Sequence, residues 1–387
     1  DRRARGVLRL NPPLRVVHVD TGRVWRGGQR QALLLAQALR ERGHECLCAF
    51  RANAPLARAA AAAGLEVLPF APRGEWDLAA AWGLRRALRR RPPNLLHAHD
   101  AHAVGLALAA AWPRVPVVAS RRVDFRARRD PGSRLKRAAV RRWLAVSRAA
   151  GASLARAGVP REHILLVPSG VAPGAAAQPA AGRPLAGRLR VPADAFLVLA
   201  AGRLEPAKGQ RTFIEACALV EDLGAVRWVV AGEGPDAPFL RRLAQDLGVA
   251  ERVVLAGQIP DLPRHMGEVQ VLVLPSFAEG LGGAALDALG AGVPIVATRV
   301  GGISEMVRHE RDGLLVPAGD ARSVAGAVRR LYLDGDLRRE LGASARCRAE
   351  AFTLEATVDT TLAAYRAALG HPNAEVLRPA SFARQPG

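Results

Sequence analysis

Short apolar runs alternate with longer amphipathic stretches along most of this chain. The short runs are typical of strands buried on both faces, and the longer stretches have the helical period. Strands and helices that alternate in this way form parallel sheets, because a parallel connection needs a long crossover. The pattern predicts strands at 14–19, 45–50, 66–70, 94–99, 116–120, 143–147, 196–201, 227–231, 252–257, 269–274 and 295–298. It predicts helices at 29–42, 76–91, 133–144, 149–158, 209–223 and 354–369, with another starting near Gly283 and one ending at Leu333.

The chain is long enough for two domains of ordinary size, with 387 residues. A stretch rich in Ala, Gly and Pro at 172–190 interrupts the alternation and indicates a linker. We therefore expect an α/β protein with a first domain at 1–175, a second at 190–353 and a loose tail at 371–387.

Positive charge is concentrated in the first half of the chain. Residues 1–190 hold 35 Lys and Arg against 11 Asp and Glu, whereas residues 191–387 hold 21 against 24. Such asymmetry indicates two domains with different partners, and an anionic membrane surface, an anionic acceptor or a nucleic acid would fit. Aromatic residues are few, so the stacking platforms of single-strand binders are missing and we expect no nucleic-acid partner.

The location of the protein is suggested by what the sequence lacks. No apolar run approaches the roughly 20 residues that span a bilayer, and no secretory signal is visible. The cysteines lack metal or redox spacing, which favours buried free thiols in a reducing cytosol. We expect a cytoplasmic protein, with a peripheral position on the inner membrane face left open. The basic helix predicted at 133–144, with apolar Leu135, Ala139 and Trp143 at four-residue steps, suits either a bilayer surface or a core-facing position.

The strongest chemical signal is the stretch LVLPSFAEGLGGAALDALGAGVPIVATRV, residues 272–300. Its strand ends before Pro275, a Gly-rich loop carries Glu279, and a helix begins near Gly283. Helix N-termini attract anions, and glycines let a phosphate come close. Asp287 adds a second carboxylate. The loop is therefore suited to a sugar nucleotide, and the alternative is a loop whose acids only cap the helix.

Two cations follow the strand at 196–201, where Arg203 and Lys208 flank a turn in GRLEPAKG. Ligands of open α/β sheets bind at the carboxyl ends of strands, so these cations are placed to neutralise a diphosphate. Surface charges on an ordinary loop are the alternative.

The first domain offers polar candidates after two strands. His97 and His99 alternate and therefore point to one face. Metal binding would need a third ligand that the spacing does not supply, and ordinary strand-end histidines are the alternative. Arg121 and Arg122 follow the next strand.

Taken in order, these elements resemble the family 4 glycosyltransferases, which are retaining enzymes of the GT-B fold. The matching segments are GGQRQ, GRLEPAKG, FAEGLGGAALDA and GGISEMV, and the resemblance covers about residues 14–370. It implies two Rossmann-like domains facing one another across a cleft, with the donor on the second domain and the acceptor on the first. It also implies a C-terminal helix, at 354–370, that crosses back to the first domain.

The resemblance also implies a role for each candidate residue. Glu279 would face the donor sugar, and Arg203 and Lys208 would contact the donor phosphates, which makes these three the catalytic candidates. Asp287, in place of the family's second Glu, would hold the ribose. The donor-binding candidates are Gly27, Gly28, Ile259, Gly280, Leu281, Gly282, Gly283 and Asp287. The acceptor-side candidates are His97, His99, Arg121 and Arg122, with Arg121 standing about where many relatives carry a functional His.

The implied reaction is the transfer of a hexose or related sugar from a nucleotide sugar to an acceptor hydroxyl, without a metal or bound cofactor. The charge of the first domain favours a cell-envelope glycan, glycolipid or lipopolysaccharide acceptor. A sugar-nucleotide epimerase shares this architecture, as does a glycan phosphorylase, but neither lysine, Lys136 or Lys208, lies in a pyridoxal-phosphate motif. A non-catalytic scaffold is a further alternative, because Asp287 and Arg121 depart from the family pattern.

Overall fold

A computed structural model of the chain describes residues 13–111, 113–122, 130–171, 183–259 and 261–371. The chain forms two compact units. The first contains the residues up to Gly170 and resumes at Leu354, and the second is Val171–Thr353. The tail predicted after residue 371 lies outside the described residues, as does most of the predicted linker.

The first unit is built on seven strands. They are β1 (Arg15–Asp20), β2 (Glu45–Phe50), β3 (Glu66–Val67), β4 (Leu95–Ala98), β5 (Val117–Arg121), β6 (Arg142–Ala145) and β7 (Ile164–Leu166). Their order in the sheet is β3-β2-β1-β4-β5-β6-β7, and all neighbours are parallel. The helices are α1 (Gly27–Glu41), α2 (Pro55–Ala62), α3 (Leu78–Arg90), α4 (Ala101–Ala111), α5 (Pro131–Ala139) and α6 (Arg148–Arg156).

The second unit is built on six strands. They are β8 (Phe196–Ala201), β9 (Val226–Ala231), β10 (Val253–Gly257), β11 (Val271–Leu274), β12 (Ile295–Thr298) and β13 (Gly313–Val316). Their order is β10-β9-β8-β11-β12-β13, again parallel throughout. The helices are α7 (Leu185–Leu189), α8 (Gln210–Ala218), α9 (Ala237–Asp246), α10 (Leu262–His265), α11 (Gly283–Ala291), α12 (Ile303–Met306), α13 (Ala321–Leu333) and α14 (Gly335–Ala349).

The last helix of the chain, α15 (Leu354–Ala368), belongs to the first unit. Its residues Val358, Leu362 and Tyr365 are buried in one apolar cluster with Leu35 and Leu39 of α1. Arg42 and Asp359 form an ion pair beside this cluster. The return of the C-terminal helix to the first unit, which the resemblance implied, is therefore confirmed.

Three predicted elements are wrong in extent, and one of them is the helix predicted at 209–223, which ends at Ala218. The strand predicted at 66–70 ends at Val67, because Pro69 has no N–H to donate to a neighbouring strand. The helix predicted at 133–144 ends at Ala139, since Val140 is already extended and β6 follows. Trp143 therefore lies in a buried strand, 6% exposed, and the apolar helical stripe predicted to reach it does not exist.

The strand order reverses once in each sheet, between β1 and β4 and between β8 and β11. Ligands of open α/β sheets bind outside the carboxyl ends of the strands that flank such a point. The loops that follow these four strands carry most of the predicted site residues. No helix among the described residues is long and apolar enough to cross a bilayer.

Candidate functional site

The loops after β8 and β11 meet at the switch point of the second sheet. The backbone N–H of Phe277 donates to the carbonyl of Ala207 over 2.9 Å. Gly209 has φ of +67°, and a Cβ at this residue would overlap the carbonyl oxygen of Pro275. Glycine is therefore required for the two loops to approach this closely.

An ion pair joins the two loops at this point. Lys208 Nζ lies 2.6 Å from Glu279 Oε2, and the Ser276 hydroxyl donates to the same oxygen over 3.4 Å. The Thr298 hydroxyl donates to the Ser276 carbonyl over 2.5 Å and so fixes the loop. The two charged side chains are 23% and 13% exposed. They are therefore held in place and still accessible to a ligand.

Arg203 lies in the same loop as Lys208. Its Nε is 3.0 Å from Glu205 Oε2, and its carbonyl accepts a hydrogen bond from Gln210 Nε2 over 2.9 Å. About a third of its side chain remains exposed. The structure thus places both cations directly after β8, where the sequence predicts them.

The N-terminus of α11 lies beside this ion pair in the chain. Its N-cap residue, Gly282, has φ of +73°, and the helix has no capping side chain and no acidic residue in its first turn. The N–H of Gly302 donates to the Glu279 carbonyl over 3.0 Å, which fixes the loop before the helix. This first turn is suited to bind an anion.

Three predicted donor-binding residues need qualification. Leu281 is 4% exposed, so only its main chain is available to a donor. Asp287 lies in the second turn of α11 and is 7% exposed, which leaves little of its carboxylate accessible. Ile259 follows the edge strand β10, two strands from β8 and therefore roughly 10 Å from that strand.

The switch point of the first sheet holds two carboxylates that the sequence reasoning missed. Asp20, at the end of β1, is 1% exposed and accepts hydrogen bonds from the N–H of Gly22 and from Gln29 Nε2. Asp100 accepts from the backbone and hydroxyl of Thr21. Burial and then the Asp100 charge raise the pKa of Asp20 to about 6.

Three buried imidazoles lie behind these carboxylates. His97 and His99, with ring centroids 4.1 Å apart, do share one face of β4, as predicted. The third is His18 from β1, whose Nδ1 lies 3.0 Å from His99 Nε2. His97 bonds to the hydroxyl groups of Tyr365, over 2.7 Å, and Ser120, over 2.8 Å. Burial, which exceeds the effect of nearby positive charge, lowers the pKa of all three histidines.

Arg122 determines how the protons are arranged in this cluster. Its Nη2 lies 3.3 Å from His99 Nδ1, which must accept because a guanidinium only donates. A neutral His99 then carries its proton on Nε2 and donates to His18 Nδ1. His18 is left with its proton on Nε2, and that atom has no hydrogen-bond partner among the described residues.

Arg122 also reaches the start of α1. A Cβ at Gly28 would lie 3.4 Å from Arg122 Cδ, and α1 has neither a capping side chain nor an acidic residue in its first turn. Arg122 Nη1 lies 3.4 Å from the Ser169 hydroxyl, and burial lowers the pKa of the guanidinium to about 10. The cation has no ion pair within 4 Å among the described residues, which suits it to an anionic ligand.

The three histidines also meet a distance requirement for a metal, because one nitrogen from each lies within 4.8 Å of the others. The third candidate ligand, which the spacing of His97 and His99 does not supply, comes from His18 on another strand. Both nitrogens of His97 are already hydrogen-bonded, and the Arg122 guanidinium would repel a dication. The geometry favours a hydrogen-bonded cluster over a metal centre.

Two family descriptions match the two halves of the chain. Residues 25–174 match the model described as Glycosyltransferase Family 4, and residues 195–334 match Glycosyl transferases group 1.

Curated relatives match part of the chain. A D-inositol 3-phosphate glycosyltransferase of Acidothermus cellulolyticus is 38% identical over 225 residues, which are 55% of this chain and 50% of that protein. A lipopolysaccharide core biosynthesis glycosyltransferase of Rhizobium meliloti is 38% identical over 40% of this chain and 44% of its own length. The chain thus spans about half the length of the curated relatives it matches.

Solved structures share the fold over nearly the whole chain. A glycosyltransferase from Rickettsia africae covers 93% of this chain with 99% of its own, at 16% identity and a TM-score of 0.80. Anabaena HepE in complex with UDP-glucose covers 90% with 98% of its own, at 20% identity and a TM-score of 0.79. The α/β fold with two parallel sheets is therefore confirmed.

Proposed function

This chain belongs to the family 4 glycosyltransferases, and we propose that it transfers a sugar from a nucleotide-sugar donor to an acceptor hydroxyl with retention of the anomeric configuration. The observation that supports this most directly is the Lys208–Glu279 ion pair at the switch point of the second sheet. It brings a cation for phosphate and a carboxylate for sugar hydroxyls within one hydrogen bond of each other.

Each group has a distinct task in this proposal. The bond from the anomeric carbon to the diphosphate breaks, and positive charge develops on the sugar and negative charge on the nucleoside diphosphate. The acceptor oxygen then bonds to the anomeric carbon, and its proton passes to the departing diphosphate. Arg203, Lys208 and the first turn of α11 stabilise the departing diphosphate as preorganised charges and dipoles. Glu279 binds sugar hydroxyls and faces the positive sugar. These cations make a metal unnecessary, and we propose that none is used and that no cofactor is bound.

The donor and acceptor classes follow from the relatives and from the first unit. Among relatives and structural neighbours, one is named for GDP-mannose and phosphatidylinositol monomannoside, and another is solved with UDP-glucose. Arg122 and the start of α1 support an acceptor that carries an anionic group. We propose a glycolipid or lipopolysaccharide acceptor and a cytoplasmic enzyme that works at the inner membrane face.

Calorimetry with UDP-, GDP- and ADP-sugars, with and without magnesium, tests the donor side. We expect saturable binding of one nucleotide sugar that is unaffected by a chelator and weakened by Glu279→Ala. A matched control is Glu215→Ala, because Glu215 forms a surface ion pair with Arg211 on α8 and lies outside the site.

Product analysis tests the reaction. An acceptor glycoside with the same anomeric configuration as the donor supports a retaining transferase. Release of an altered nucleotide sugar without an acceptor would instead identify an epimerase. Failure of every nucleotide sugar to bind would identify a non-catalytic scaffold.

A further inference from the structure

The first unit carries a cluster of strongly exposed apolar side chains outside the candidate site. We define the apolar face as Trp76, Leu78, Trp82 and Leu135, which are 72%, 73%, 61% and 75% exposed. Large apolar side chains are seldom this exposed together unless the surface contacts another molecule. None of these residues belongs to the switch-point site.

The apolar face draws on two segments that an ion pair holds together. Glu75, directly before Trp76, pairs with Lys136, directly after Leu135. Leu78 and Trp82 lie one turn apart on the outer side of α3, whose inner side buries residues such as Leu84. Leu78 and Trp82 therefore project away from the unit, next to the start of α5.

The same outer side of α3 becomes basic toward its C-terminus. We define the basic end as Arg86, Arg89 and Arg90, all of them exposed. Arg86 lies over the ring of Trp82, with its guanidinium carbon 5.8 Å from the ring centroid. The apolar face and the basic end are therefore continuous.

The acidic groups beside this surface are already engaged. Glu75 is bound by Lys136 and approached by His102 at 3.6 Å. Asp77 accepts hydrogen bonds from the N–H groups of Ala80 and Arg73 at the start of α3. A partner therefore meets apolar groups and positive charge, with little competing negative charge.

We infer that this surface docks the protein on an anionic lipid bilayer. The tryptophans enter the interfacial layer, where their amphipathic rings are favoured, and the basic end binds headgroup phosphates. An anionic bilayer supplies acyl chains and phosphates side by side, as the surface requires. The inference deepens the proposed membrane location, on which it rests, and assigns it mainly to α3 and the adjoining Trp76, with Leu135 as the one contribution from the predicted helix at 133–144.

Vesicle sedimentation at physiological salt tests the inference. We expect the intact chain to bind vesicles of phosphatidylcholine with phosphatidylglycerol, and pure phosphatidylcholine at least tenfold more weakly. Replacing Trp76, Leu78 and Trp82 together by Ser should reduce binding at least tenfold. Replacing the three arginines of the basic end by Gln should reduce vesicle binding roughly fivefold per arginine. The remaining binding should depend less on salt.

A matched control replaces exposed apolar residues of the second unit, Leu219, Phe239 and Leu333, by Ser. This variant should bind vesicles as the intact chain does. Calorimetric binding of the nucleotide sugar should be the same in all variants, which separates failure of the inference from failure of the proposed enzyme. An equal loss of vesicle binding in both triple variants would overturn the inference. So would a dimer of the intact chain that only the substitutions at Trp76, Leu78 and Trp82 dissociate.

Discussion

The two units share a parallel sheet and a switch point but place different chemistry there. In the second unit, Lys208, Glu279 and Arg203 are charged, partly exposed and engaged by neighbouring side chains. In the first unit, three neutral imidazoles and a tyrosine form a buried cluster with a single guanidinium. The sheet topology therefore does not determine the chemistry of the site. That chemistry depends on the residues that follow each strand.

The difference has an energetic meaning. The ion pairs of the second unit reach solvent, so their charged groups can exchange partners when an anion binds. Buried polar groups cost free energy when their partners are removed, so the cluster of the first unit is coupled to folding. We expect substitutions in the second site to affect activity and substitutions in the first cluster to affect stability.

Removing the ion pair of the second unit should give the largest effect. Lys208→Met and Glu279→Gln should each reduce kcat by roughly 100- to 1000-fold, the range for losing one preorganised charge or donor. The melting temperature should change little. Steady-state kinetics measures kcat, and circular dichroism measures the melting temperature. A large fall in melting temperature in either variant would show that the second site, like the first cluster, mainly supports stability.

Acidification should destabilise the first unit. Because burial lowers the pKa values of His18, His97 and His99, the folded state binds fewer protons than the unfolded state below pH 6.5. Stability is then lost as the pH falls, by up to about 1.4 kcal/mol per pH unit for each imidazole. Asp20 has the opposite effect on stability, because its pKa is raised from 3.8 to about 6. Between these two pH values the folded state binds the extra proton, and stability rises as the pH falls.

Thermal unfolding between pH 7.5 and pH 5 measures this balance. Three imidazoles oppose one carboxyl, so the melting temperature should fall on acidification. Asp20→Asn removes the opposing contribution, and its melting temperature should fall more steeply below pH 6. A melting temperature that rises on acidification in the unaltered chain would show that the histidines are not held neutral.

The loop crossing in the second unit gives a prediction about stability. Gly209→Ala adds a left-handed backbone penalty of about 1–3 kcal/mol and an overlap with Pro275. Gly248→Ala is the matched control, because Gly248 has φ of +69° but nothing within 4 Å of an added Cβ. Chemical denaturation should show the larger loss for Gly209→Ala, and equal losses would mean that the close approach is unimportant.

The sequence predicts the fold better than it predicts the first site. Alternating patterns locate most strands, and GRLEPAKG with FAEGLGG indicates Arg203, Lys208 and Glu279, because these charges follow strands directly. His18 and Asp20 were missed although RVVHVD carries two polar residues in an apolar strand. His18 bonds to His99 at the end of β4, and Tyr365 of α15 bonds to His97, so only the folded chain assembles the cluster around His18.

The contact between α15 and the imidazole cluster gives the smallest expected effect. Tyr365→Phe leaves His97 Nδ1 without the hydroxyl that lies 2.7 Å away, and an unsatisfied buried group costs about 1–3 kcal/mol. The control is Tyr332→Phe, because the Tyr332 ring packs against Phe196 and its hydroxyl has no hydrogen-bond partner among the described residues. We expect the free energy of unfolding to fall for Tyr365→Phe and to change by less than about 0.5 kcal/mol for Tyr332→Phe. Similar small changes in the free energy of unfolding of both variants would mean that α15 is held by its apolar contacts with α1 alone. The imidazole cluster would then tolerate the loss of a hydrogen-bond partner, and the expected contrast in stability between the two sites would disappear.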